Sequence, residues 1–261
     1  DDKFYFDLLN KYPSTIFMGY QNEEMQSEIL GIIIEDAEVE KIKPNQSASL
    51  ILNQTVFYAQ SGGQIADIGE ITDTKNNIKF IISDVEKIGG ALYLHKGRLE
   101  KDSKELNIGQ SVDLKINNEF RSKVSKNHSA THLLHESLRQ ILGDHMSQNG
   151  SLVNESKLRF DFSHQKPISD EDLLEIEKIA NHIVLQNQSI ETKIMTTKDA
   201  MKTGARALFG EKYGNEVRVV SMGDYKGKNF SVELCGGTHA KMTGDIGPIK
   251  IMAEQGVASG V

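Results

Sequence analysis

From Asn118 to Leu142 the chain carries neither glycine nor proline, and apolar residues recur along it at helical spacing: Val124, Leu133, Leu134, Leu138, Ile141 and Leu142. Gly143 follows as a natural stop. A helix of this length cannot lie inside a sheet, so it divides the sequence into two regimes. Before it, from Glu28 to Asn117, the runs ILGIIIED, ASLILN, VFYA, IKFIISDV, ALYLHKG and SVDLKIN are short and rich in Ile, Val, Leu and Tyr. Turn residues at Asn45, Gly62-Gly63, Asn76-Asn77, Gly89-Gly90 and Gly109 separate them, the pattern of a small β-barrel.

After the helix the pattern alternates. SLV and LRFDF read as strands, and Ser169 reads as the N-cap of a second helix, with Asp170, Glu171 and Asp172 in its first turn. Leu173, Ile176, Ala180 and Ile183 give that helix one buried face. IETKIM, EVRVVSM, FSVEL and PIKIM are expected to be strands, with a short helix near Lys198–Thr203. The expected division is a leader over 1–27, a β-barrel over 28–117 and an α+β region over 118–261.

With 38% hydrophobic and 26% charged residues, the chain has the balance of a folded globular protein. Its most apolar run, Ile29–Ile34, is strand-sized and far short of the ~20 residues that cross a bilayer, so no membrane role is expected. The opening DDKFYFDLL lacks a basic start and a small-residue cleavage site. A single cysteine, Cys235, excludes an internal disulfide and points to the cytoplasm. The net charge of −7 argues against a broadly basic nucleic-acid surface but leaves room for a local basic groove. The missing initiator Met and the stop at Ser259-Gly260-Val261 lead us to expect a segment of a longer protein.

Chemistry concentrates in two pairs. His128 and His132 lie four apart, so both rings project from one helix face. Cys235 and His239 have the same spacing around Gly236-Gly237, a loop able to wrap a metal. His135 projects from nearly the same face, so spacing alone does not select the ligands. Ser61-Gly62-Gly63-Gln64 is compatible with a hairpin turn or with close backbone approach to a ligand. Gln148 precedes a turn at Asn149-Gly150. In LRFDF the alternation puts Arg159 and Asp161 on one face and Phe160 and Phe162 on the other.

Read together, FYAQSGGQIADIGEI, NHSATHLLHESLRQILGDHMSQNGSLV, LRFDFSH, GARALFGEKYG, VRVVSMGD and ELCGGTHAKMTGDIG resemble the editing region of bacterial-type alanyl-tRNA synthetases. The resemblance runs in order from about Gly19 to the end. It implies an α+β class, with a small N-terminal β-barrel followed by a two-layer α+β editing core of the threonyl/alanyl-tRNA synthetase type. It further implies hydrolysis of mischarged Ser-tRNA(Ala) and Gly-tRNA(Ala), with Zn²⁺ held by His128, His132, Cys235 and His239. Partners would be the acceptor end of tRNA(Ala) and the remainder of the synthetase in cis. Gln148 is carried over as a residue of the editing pocket, and Gly62, Gly63 and Gln64 as the loop approaching it; Asp161, Gly236 and Gly237 are expected to line it.

Selectivity requires a group that pairs with the serine hydroxyl and is left unpaired by alanine; Thr131 and Gln148 are the candidates. Lys123, Lys126, Lys202, Arg206 and Lys212 are either phosphate contacts or a solvated face. Zinc has two open roles, lowering the pKa of a bound water or organising the pocket, because four protein ligands usually describe a closed site. A free-standing trans-editing hydrolase and a non-catalytic, zinc-stabilised tRNA-binding module are the alternative readings.

Overall fold

The structure, a computed structural model, describes residues 2–207 and 213–261. Two compact units arise: residues up to 61 together with 65–121 form the first, and 62–64 together with residues from 122 onward form the second.

In the first unit six antiparallel strands close on themselves: β1 (Glu24–Ile34), β2 (Ser47–Leu52), β3 (Gly69–Asp73), β4 (Ile78–Ile88), β5 (Leu92–Leu99) and β6 (Ser111–Ile116). Their order is β6-β3-β4-β5-β2-β1, with β6 pairing β1 to shut the ring. Closure is visible at Leu114, which sits opposite Ile71 on one side and Met25 on the other. Along β6 strict alternation sends Val112, Leu114 and Ile116 inward, where they meet Ile29, Leu50, Ile71 and Phe80. Residues 2–27 belong to this unit. Helix α1 (Asp2–Lys11) packs Leu8 against Ile33, Ile51, Leu92 and Leu94 on the barrel's outside.

Val56–Ala59, expected to be a strand, is buried but irregular. Side chains take up several of its backbone groups in place of a ladder, and the Asp67 N–H donates to the Tyr58 carbonyl at 3.0 Å. Asp67 accepts the Tyr58 N–H at 2.9 Å, and Arg121 donates to the Val56 carbonyl at 2.7 Å, to the Gly19 carbonyl and to Asp67 itself. His95 on β5 is wholly buried: its Nδ1–H donates to the Leu50 carbonyl at 3.0 Å, and its Nε2 accepts the Thr55 hydroxyl at 2.8 Å. Burial lowers its pKa to about 4, against a small opposing pull from the Leu50 carbonyl.

Helix α2 (Asn118–Leu142) starts on the side chain of Asn117, which accepts the Phe120 N–H at 3.0 Å. Most of it belongs to the second unit, with the hairpin β7 (Gln148–Val153) and β8 (Leu158–Phe162). There too lie α3 (Asp170–Leu185), β9 (Glu191–Thr196), α4 (Thr197–Lys202), β10 (Glu216–Tyr225) and β11 (Lys228–Leu234). Ser169 caps α3 as its sequence implies, its hydroxyl accepting the Asp172 N–H at 3.1 Å. The antiparallel sheet β9-β10-β11 has two distinct faces. Val217 and Val219 join Ala200 of α4 on one; Val220 and Met222 join Leu133 of α2 and Ala180 and Ile183 of α3 on the other.

Pro248–Met252 is not the strand that its apolar alternation suggested. Side chains of α3 hold it: Asn181 exchanges two hydrogen bonds with the Ile249 backbone, and Glu177 accepts the Ile251 N–H at 2.8 Å. The molecule is α+β, with a closed barrel, and no helix among the described residues is long and apolar enough to cross a membrane.

Candidate metal centre

His128 and His132 project from α2, and Cys235 and His239 come from the loop that leaves β11. One ligand atom from each lies within 4.8 Å of the others, and three of the four residues are buried. Cys235 Sγ is 3.4 Å from both His128 Nε2 and His239 Nε2. These four donors form a cluster able to hold a metal ion. His135 is excluded from it: its Nδ1 is turned away to Glu233 Oε1, 2.7 Å distant.

The loop is shaped for this. Arg218 donates to the carbonyls of Cys235 and Gly237 at 3.2 and 3.0 Å, and the Gly237 N–H points at Cys235 Sγ. A Cβ on Gly237 would lie 2.0 Å from the His128 ring, so only glycine fits there.

The nitrogens facing away from the cluster are also held. Gln64 Oε1 accepts from His128 Nδ1 at 2.7 Å and from the Thr238 N–H at 3.0 Å, while its amide donates to the Thr238 hydroxyl. Ser129 Oγ lies 3.0 Å from His239 Nδ1 and accepts the Ala240 N–H. His132 Nδ1 lies 3.5 Å from Glu233 Oε2, in ion-pair range but without a hydrogen bond. Burial, reinforced by the neighbouring His132, pushes the His128 pKa down to about 3, and burial lowers those of His132 and His239 too. The rings are therefore neutral near pH 7, the form in which imidazole offers a lone pair. Burial works against the Glu233 charge, yet His132, and then the hydrogen bond from His135, outweigh it and hold the carboxyl at about 2.

Comparison with known proteins places this cluster in context. Residues 2–120 match the family model for class II (A) tRNA synthetases, and residues 217–261 match the second additional domain of threonyl and alanyl tRNA synthetases. Alanine–tRNA ligase of Rhodopseudomonas palustris is 48% identical over 98% of this chain, and that of Nitrobacter winogradskyi is 46% identical over all of it. The Bradyrhizobium diazoefficiens ligase is 46% identical over 98%. The chain belongs to the alanyl-tRNA synthetase family. It spans only 29–30% of the length of these relatives.

The other positions singled out by the resemblance to alanyl-tRNA synthetases fall into two groups. Gly62, Gly63 and Gln64 belong to the second unit with the cluster. Gly62 and Gly63 both adopt positive φ, and Gly63 presses so closely on Ser151 of β7 that a Cβ would meet its Oγ at 2.3 Å. Gln64, expected to meet substrate, spends its carbonyl oxygen on His128 and Thr238. Gly237 is buried against His128, and Gly236 is exposed.

The second group makes no hydrogen bond to the four donors. Gln148 is half-buried at the bulged start of β7, opposite Phe162. Asp161 pairs with Arg159 at 3.0 Å, and Phe160 and Phe162 stack on the opposite face as the alternation required. The Thr131 hydroxyl donates to the Asn127 carbonyl within α2. Among the basic candidates, Lys202 lies near Asp199 and Arg206 faces Glu136 at 3.7 Å each; Lys123 is exposed and Lys126 half-buried. Lys212 lies outside the described residues. Sequence reading missed Glu233 and Ser129. Glu233 is one of the alternating residues of FSVEL, and its meaning depends on register: it sits opposite Val220, on the sheet face that carries α2.

Proposed function

We propose that this chain is the editing region of an alanyl-tRNA synthetase and hydrolyses the ester of Ser-tRNA(Ala) and Gly-tRNA(Ala) in the cytoplasm. It would act in cis with the rest of the synthetase on the acceptor end of tRNA(Ala). The observation that carries this reading is the buried three-histidine, one-cysteine cluster, with His128 and His239 held from behind, inside a chain of this family. Zinc suits that donor set: bonds of ~2.0 Å to nitrogen and ~2.3 Å to sulfur give a tetrahedral edge of about 3.5 Å, close to the 3.4 Å separations present.

When bound, zinc would supply positive charge and a fixed geometry to the pocket. Four convergent protein donors favour the organising role over a site that keeps a position open for water. The chain's own residues would do the rest. The Gly62-Gly63 backbone, pressed on β7, would form one wall. Gln148, at the bulge, would read the serine hydroxyl; Thr131 is less suited, its proton being committed to Asn127. Asp161, across the hairpin beside Gly150, would line the same pocket.

A deacylation assay tests the reading. The intact chain should hydrolyse Ser-tRNA(Ala) and spare Ala-tRNA(Ala), and a chelator should abolish hydrolysis while tRNA binding survives. Binding without hydrolysis in the zinc-loaded protein would instead favour a non-catalytic module.

A further inference from the structure

We propose that Glu233 is a positioning residue for the metal centre: it fixes His132 as a ligand from behind, and His135 serves only to hold Glu233. The inference rests on the reading of the four-residue cluster as a metal site. Glu233, His132 and His135 are all nine-tenths buried or more. A carboxylate does not remain in such surroundings without a partner of compensating charge or hydrogen bonding. One of its oxygens accepts from His135 Nδ1 at 2.7 Å; the other lies 3.5 Å from His132 Nδ1. That nitrogen is a buried polar atom without a hydrogen bond.

The other two rings have outer partners already in place, Gln64 for His128 and Ser129 for His239. His132 is thus the one ring ligand whose outer nitrogen faces a charged group, and the one whose bond is not yet made. Metal-bound imidazoles characteristically donate their outer N–H to such a partner, which fixes the tautomer and raises basicity. With Nδ1 protonated toward Glu233, His132 presents its Nε2 lone pair to the cluster. The same geometry explains why α2 carries three histidines on one face and uses two. His135, one turn beyond His132, anchors Glu233 from the far side and lies against Phe160, the ring centroids 5.0 Å apart.

The test uses the intact chain, with zinc affinity measured by competition against a chromogenic chelator and the Co²⁺ absorption band as a report on ligand geometry. Melting of the metal-free protein is the check on folding. Glu233→Gln keeps the volume and removes the charge; we expect zinc affinity to fall about 10- to 100-fold and the Co²⁺ band to shift. Glu233→Asp should recover part of that loss. His135→Asn keeps an N–H at the Nδ1 position and should bind zinc like wild type, whereas His135→Leu should weaken binding several-fold. Zinc affinity of Glu233→Gln within about threefold of wild type overturns the proposal. If that variant fails to fold, undiminished affinity in His135→Leu overturns it. A wild-type chain that takes up no zinc overturns the metal centre itself, and the proposal with it.

Discussion

Gly237 shows how little freedom the centre leaves to single residues. A methyl there would sit 2.0 and 2.3 Å from two atoms of the His128 ring and 2.7 Å from Gln64 Oε1. The ring can escape only by giving up the Gln64 hydrogen bond or its place beside Cys235. Gly237→Ala is therefore expected to weaken zinc binding about tenfold or more, read by chelator competition; unchanged affinity would mean that the loop gives way instead. A second residue-level expectation concerns selectivity. If Gln148 pairs with the serine hydroxyl, losing that bond removes roughly 1–3 kcal/mol of discrimination. Gln148→Ala should then lower the ratio of Ser-tRNA(Ala) to Ala-tRNA(Ala) hydrolysis about tenfold. An unaltered ratio assigns the reading of serine elsewhere.

At the scale of elements, His95 ties β5 to β2 through its Nδ1–H and to the Thr55–Phe57 turn through its Nε2, and the second bond, in which Nε2 accepts, requires a neutral ring. Its pKa is about 4 in the fold against 6.5 as the ordinary value. A folded pKa below the unfolded one means that the unfolded chain takes up the proton first as pH falls. The stabilisation is full above pH 6.5 and is lost as pH falls toward 4, amounting to about 2 kcal/mol by pH 5. Urea midpoints should drop between pH 7 and pH 5, and His95→Leu should flatten that drop; equal slopes in the two proteins would rule His95 out as its source. Elements also mark where the sequence was readable. The bounds of α2 and the cap of α3 could be read because glycine, proline and capping residues act locally. Val56–Ala59 and Pro248–Met252 could not, since their apolar composition matches that of strands. What replaces a ladder there is a distant side chain: Asp67 and Arg121 for one, Asn181 and Glu177 for the other. The metal cluster shows the same division. Each pair was visible as a four-residue spacing, and the resemblance joined the pairs; Glu233 stayed hidden because its role is a matter of strand register.

For the whole molecule, the centre joins α2 to the loop after β11, segments more than a hundred residues apart in sequence. A ligand that binds only the folded state stabilises it by mass action, about 2.7 kcal/mol at a hundredfold excess over Kd. Chelation is accordingly expected to lower the melting temperature of the chain, and Cys235→Ala should melt at the chelated value whether or not chelator is present. A wild-type melt that ignores chelator would count against any metal in the fold. The division into two units bears on this as well. Gly62–Gln64 is flanked in sequence by the first unit on both sides, yet it belongs to the second, where Gln64 bonds Thr238 across 174 positions of sequence. At about 5–20 residues per second, a ribosome adds Thr238 roughly 10–35 s after Gln64. Throughout that interval the Gln64 side chain that will secure His128 waits without Thr238, so the zinc site cannot close until the loop after β11 has been made.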